Sequence, residues 1–137
     1  MIVGFDLDGV LQPDIRRSVD FNLSEVDNVR RLMRPLYKPL GKWGIITARR
    51  IEDKDKVAEW VSNSFDVQPM FILQSCELSD SSSSYKARML DLHTKVTLYI
   101  ESDPVLAAEI KTKMTRTGCE VISLDSLFHR IIQQNGC

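Results

Sequence analysis

The chain opens on an apolar run, Ile2-Val3-Gly4-Phe5, that ends in two carboxylates at alternate positions, Asp6 and Asp8, followed by Gly9 and Val10. Alternate residues of a strand share a face, so both acids leave the strand end on the same side. Two like charges that close repel each other unless a cation or a shared proton lies between them. Gly9 lets the chain turn sharply and lets a ligand approach the backbone. A strand that terminates in this way is costly unless the acids are used. The pattern therefore reads as a nucleophile, a general acid and a divalent-cation site built into one turn.

The rest of the chain alternates short apolar runs with segments of helical period, which predicts an α/β fold with a mainly parallel sheet. Strands are expected at Ile2 to Asp6, Trp43 to Thr47, Met70 to Leu73, Val96 to Ile100 and Val121 to Leu124. A first helix is expected to open at Ser24, with Asp27 completing a capping box and Val26, Val29, Leu32, Met33 and Leu36 on its apolar face. Pro35 and Pro39 blur its end. Further helices are expected over Glu52 to Asn63 and Lys86 to Leu92, after Pro104 with Asp103 or Ser102 as cap, and around Leu127, Phe128, Ile131 and Ile132. The serine-rich stretch Ser79 to Ser84 reads as a mobile loop.

Length limits the fold to one domain over residues 1–137, large enough to bury a core. A net charge of -1 gives no general attraction to nucleic acid or to a membrane surface. No apolar stretch reaches the length of a membrane span, and residues 1 to 6 enter the first strand directly, without a signal-peptide layout. Cys76, Cys119 and Cys137 show no paired spacing and read as free thiols in a reducing cytosol. His93 and His129 are isolated and read as surface or packing residues.

Polar residues gather at or just after the apparent strand ends: Asp6 and Asp8, Thr47, Lys86, then Glu101 and Asp103. In open parallel sheets, ligands bind outside the carboxyl ends of the strands, where the strand order reverses. Two acids, a hydroxyl, an ammonium and a second acidic pair at one edge suit phosphoryl chemistry on a magnesium ion. Each residue also has an ordinary structural alternative. Thr47 fits a strand or a helix cap, Lys86 fits a solvated helix face (with Arg88 and Lys95 as rivals), and Asp103 fits the N-cap before Pro104. Arg49 and Arg50, and likewise Arg16 and Arg17, fit either an anionic substrate or solvent.

The ordered set Asp6-Leu7-Asp8-Gly9-Val10, Ile46-Thr47-Ala48-Arg49, Lys86 and Tyr99-Ile100-Glu101-Ser102-Asp103-Pro104 resembles the haloacid dehalogenase superfamily of phosphatases across nearly the whole chain. The resemblance implies a Rossmann-like, three-layer domain with a five-stranded sheet of order 5-4-1-2-3. It implies Asp6 as the nucleophile that forms an aspartyl-phosphate. Asp8 would be the general acid and base, with its backbone carbonyl on magnesium. Thr47 and Lys86 would hold the phosphoryl group, together with Gly9, Ala48 and Arg49. The metal set would be Asp6, Asp8, Glu101 and Asp103.

The family often has Asp where this chain has Glu101, whose carboxylate lies farther out by about 1.5 Å, one C–C bond. Glu101 and Asp103 therefore compete as ligands. No stretch is left over for a cap domain, so a minimal, solvent-open core is expected. Such a site implies bulky substrates or closure by homo-oligomerisation. The reading is thus a cytoplasmic, magnesium-dependent phosphomonoesterase acting on a nucleotide or a nucleic-acid end, with nucleic acid a partner only as substrate and no membrane partner. The alternative is a catalytically weak phosphate-binding or regulatory module.

Overall fold

A computed structural model of the protein describes residues 1–13, 30–75 and 81–134. Five strands, β1 (Ile2–Phe5), β2 (Trp43–Arg50), β3 (Ile72–Ser75), β4 (Val96–Glu101) and β5 (Glu120–Ser123), form one sheet. Every neighbouring pair in it is parallel. The order is β3-β2-β1-β4-β5, which reads 5-4-1-2-3 from the β5 edge. The α-helices are α1 (Lys54–Ser64), α2 (Ser82–Leu92), α3 (Pro104–Lys113) and α4 (Leu124–Gln134), and a 3-10 turn, Ile51–Asp53, leads into α1. Among the described residues no helix is long and apolar enough to cross a membrane.

The two faces of the sheet carry separate cores. On one, Trp43 and Ile45 of β2 and Ile100 of β4 pack with Val57, Trp60 and Val61 of α1 and, less deeply, Leu124 and Leu127 of α4. On the other, Ile46 of β2 and Tyr99 of β4 pack with Leu90 of α2 and Ile110 of α3. Neighbouring residues in β2 and β4 go to opposite faces, as the strand period requires. Helices on both faces explain why the strands read as apolar runs rather than as alternating ones. Gly44 allows a close approach: a Cβ there would lie 2.4 Å from the Phe71 ring.

Several expected boundaries move. β2 runs three residues past Thr47, because the chain stays paired until Arg50 meets Ser75 across an irregularity in the ladder. β3 starts two residues later than expected, and Met70 is exposed. The 3-10 turn absorbs Glu52 and Asp53, so α1 begins at Lys54. The larger correction concerns the serine tract. Ser82, Ser83 and Ser84 are the first turn of α2, not a loop, so this helix starts four residues before Lys86.

Serine suits this position because its hydroxyl can satisfy orphan backbone donors. Ser81 caps the helix by accepting the Ser84 N–H at 3.2 Å. Lys113 of α3 then donates to Ser83 and Ser84 at 2.7 and 3.1 Å, tying the turn down. Ser79, the Ser24 helix start with Asp27, Val26 and Val29, and also Arg16, Arg17, Cys76 and Cys137, lie outside the described residues. Residues 30–32 are helical, but Leu32 and Leu36 are exposed rather than on a buried face. His93 stacks on Phe71 with ring centroids 5.4 Å apart, a packing role.

Candidate active site

The sheet places its candidate residues by topology. From β1 the chain moves outward through β2 to β3, then returns to the other side of β1 for β4. The order therefore reverses between β1 and β4, where a crevice opens beyond the strand ends. Asp6 follows β1 and donates its N–H to the Ile100 carbonyl at 2.9 Å, which fixes it against β4. Gly9 has φ +84°, a left-handed value that a residue with a Cβ rarely adopts. The turn closes as Gly9 donates to the Gln12 carbonyl at 2.7 Å, while Leu11 and Gln12 donate back to Leu7.

Asp6, Asp8, Thr47, Ala48, Arg49, Lys86 and Asp103 all line one hollow of about 140 Å³, joined by Ser102. At its base is a buried triad. Lys86 reaches down from α2, 2% exposed, with Nζ 3.1 Å from Asp6 Oδ1 and 2.6 Å from Glu101 Oε1. Its rivals stay away: Lys95 is exposed, and Arg88 lies over the Tyr85 ring at 5.8 Å. Asp6 Oδ1 also accepts the Leu7 N–H at 2.9 Å, and Asp6 Oδ2 accepts the Ser102 hydroxyl at 3.1 Å.

The electrostatics follow from two buried carboxylates sharing one ammonium. Burial pushes the Asp6 carboxyl well above the ordinary range; Lys86 opposes this and Glu101 reinforces it. For Glu101 burial also pushes upward, but hydrogen bonds with Asp6 and Lys86 and the Ser102 N–H outweigh it and hold the carboxyl below its ordinary value. For Lys86 burial pushes downward, and the two carboxylates outweigh it, holding the ammonium above its ordinary value.

Asp8 is held differently. Arg49 donates to both its oxygens, through Nε to Oδ2 at 3.0 Å and through Nη2 to Oδ1. The same Nη2 donates to the Gln12 side chain. Arg30 approaches Asp8 Oδ1 to 3.9 Å. Thr47 is buried, and its Oγ1 accepts the Arg49 N–H at 3.2 Å, which leaves its own hydroxyl hydrogen to donate. Arg50 is exposed and lies outside the hollow.

The two candidates of the fourth motif separate. Glu101 is fully buried beneath the hollow, with Oε1 on Lys86 and Oε2 accepting from Ser102 N at 2.7 Å. Asp103 lines the hollow and caps α3, its Oδ1 accepting the Val105 N–H at 2.9 Å. That cap bond engages one of its two carboxylate oxygens. Among the described residues no three acidic, histidine or cysteine side chains are already grouped as a cation cage. Among the described residues the ligand atoms at the hollow are oxygens: the carboxylates of Asp6, Asp8 and Asp103 and the hydroxyls of Thr47, Ser82 and Ser102. Such hard donors, beside buried acids in excess of buried bases, fit magnesium rather than a thiophilic metal.

Three residues escaped the sequence reading as parts of this site. Ser102 was considered only as a cap, yet its hydroxyl bridges Asp6 and Glu101. Gln12, buried behind the turn, orients Arg49, and its only signal was a polar residue straight after Val10-Leu11. Arg30 approaches Asp8 from 22 positions along the chain, for which no local pattern exists. No family model matches the chain, and no curated protein matches it significantly.

Proposed function

We propose that the protein is a magnesium-dependent phosphomonoesterase of the haloacid dehalogenase type, acting through Asp6. One observation carries this reading: Asp6 faces the hollow beside the buried ammonium of Lys86, while Asp8 and Thr47 line the same hollow. Asp6 attacks phosphorus, the bond from phosphorus to the leaving oxygen breaks, and Asp8 gives that oxygen its proton. Water then attacks the aspartyl-phosphate, Asp8 takes the proton from water, and the bond between Asp6 and phosphorus breaks. Thr47 donates its hydroxyl hydrogen to a phosphoryl oxygen, and Lys86 neutralises charge between Asp6 and the phosphoryl group. Ser102 and the Leu7 N–H fix the orientation of the Asp6 carboxylate. Magnesium, when bound by Asp6, the Asp8 carbonyl and Asp103, supplies charge neutralisation at the phosphoryl oxygens and favours the ionised form of Asp6. Glu101 holds Lys86 from below. The preferred substrates are nucleotides or nucleic-acid ends, in the cytoplasm.

The test is phosphate release from an aryl phosphate, with magnesium or with chelator, by the wild type and by Asp6→Asn. Magnesium-dependent release that disappears in the variant supports the reading. Silence on that substrate and on a panel of nucleotides, phosphorylated oligonucleotides and phosphopeptides sinks it. One observation favours a second reading, a phosphate-binding module of weak activity: Arg49 occupies both oxygens of Asp8, which must be released before Asp8 can serve the leaving group. Binding of magnesium and phosphate without turnover is the signature of that case.

A further inference from the structure

The phosphate hollow does not end at Asp8. A second cleft of about 240 Å³ begins where the first stops, and Arg49 lines both. Among the described residues its charged lining consists of Arg30, Arg31, Arg49 and Lys56 with Asp53 and Glu59. With Asp8, which Arg30 and Arg49 contact, the described residues here number four cations to three carboxylates, a small local excess of positive charge in a chain of net charge -1. Arg30 and Arg49 both come within 4 Å of Asp8, so the cleft adjoins the residue that must meet the leaving oxygen.

We infer that this cleft receives the leaving group, and that the leaving group carries a second anion, a carboxylate or a further phosphate. The inference rests on the phosphomonoesterase reading of Asp8 as proton donor, which requires the leaving group to lie on Asp8's side of the phosphorus. The guanidinium of Arg49 has a planar fork suited to an oxyanion, and Arg31 and Lys56, both exposed, line the same cleft. A second anion held there by Arg31 and Lys56 competes with Asp8 for the neighbouring Arg49 and frees an oxygen of Asp8 for the leaving group. Substrate charge, rather than a cap domain, thereby prepares the acid. A neutral leaving group lacks this means.

Calorimetric titration of the magnesium-loaded protein with two phosphonates of equal length, 3-phosphonopropionate and propylphosphonate, separates the second anion from the first. The carboxylate-bearing ligand is expected to bind about tenfold tighter, one charge-assisted contact's worth. In Arg31→Gln/Lys56→Gln the ratio should fall below about twofold, and in the remote Lys95→Gln it should persist. Both altered residues of the double variant are exposed, and its melting curve is compared with that of the wild type. Equal binding of the two ligands by the wild type overturns the inference, as does a ratio that survives in the double variant. A preference that exists without turnover of any phosphomonoester sinks the enzymatic reading and leaves the anion cleft standing. Turnover that ignores a second anion does the reverse.

Discussion

Asp6→Asn should stabilise the fold while abolishing turnover. In the wild type, Lys86 lies 3.1 Å from Asp6 and 2.6 Å from Glu101, so one ammonium serves two buried carboxylates. The attraction of Asp6 to Lys86 and its repulsion from Glu101, two groups bridged by the same ammonium, oppose each other. At an effective dielectric of about 20, each is about 4 kcal/mol and they nearly cancel. What remains is the desolvation of the Asp6 charge, several kcal/mol for a buried ion. Asparagine keeps an acceptor for Leu7 N–H and Lys86 and places an amide donor toward Ser102 and Glu101. It leaves Lys86 and Glu101 as a one-to-one pair.

The expected gain is about 1–3 kcal/mol in chelator-containing buffer at pH 8, read by urea denaturation. The pH dependence has a fixed sign. The folded protein holds the Asp6 proton above its ordinary value of 3.8, so ionisation costs stability as pH rises from there through the raised value. The advantage of the variant should therefore be smaller at pH 5 than at pH 8. A variant less stable than the wild type by about 1 kcal/mol or more at pH 8 would show that the fold gains from this charge, and the reasoning would fail.

Lys86→Met removes the shared ammonium from two buried carboxylates, and should cost about 3–5 kcal/mol in the same denaturation assay along with all turnover. Gly44→Ala drives a methyl to 2.4 Å from the Phe71 ring and should cost about 1–3 kcal/mol, with Phe71→Leu restoring part of the loss. Arg116 donates to the carbonyls of Leu90, His93, Thr94 and Val96, stitching the end of α2 to the start of β4. Its replacement by Ala should lower stability by about 2 kcal/mol without altering phosphonate affinity. For Asp91 burial pushes upward, but N–H donors from Arg116 and Thr115 outweigh it and lower its carboxyl. Its contribution is present above its ordinary value of 3.8 and is lost as pH falls through the lowered one. Asp91→Asn should thus be less stable at neutral pH and lose less on acidification below about pH 4, measured by thermal melts across that range.

The serine tract shows why local composition misleads. Serine is a poor helix former in isolation, and nothing near it in sequence announces Lys113, whose ammonium arrives from 30 positions away. Leu32 and Leu36 show the converse: helical spacing marked them for a buried face, but burial depends on what lies opposite, and both are exposed.

What the sequence determined by itself was short-range. Apolar runs of strand length in alternation with helical period specify a parallel α/β sheet, because buried strands and amphipathic helices differ in period. An acid pair after the first run, and a proline after Asp103, likewise act through neighbours along the chain. What only the tertiary structure decided was how the charges pair. Arg49 meets Asp8 across 41 positions, Lys86 meets Glu101 across 15, and Ser102 meets Asp6 across 96. Those partnerships depend on which strand ends the sheet sets side by side, and so does the burial that raises one carboxyl and lowers its neighbour. The energy of a buried charge is a property of its surroundings in three dimensions, which no local pattern encodes.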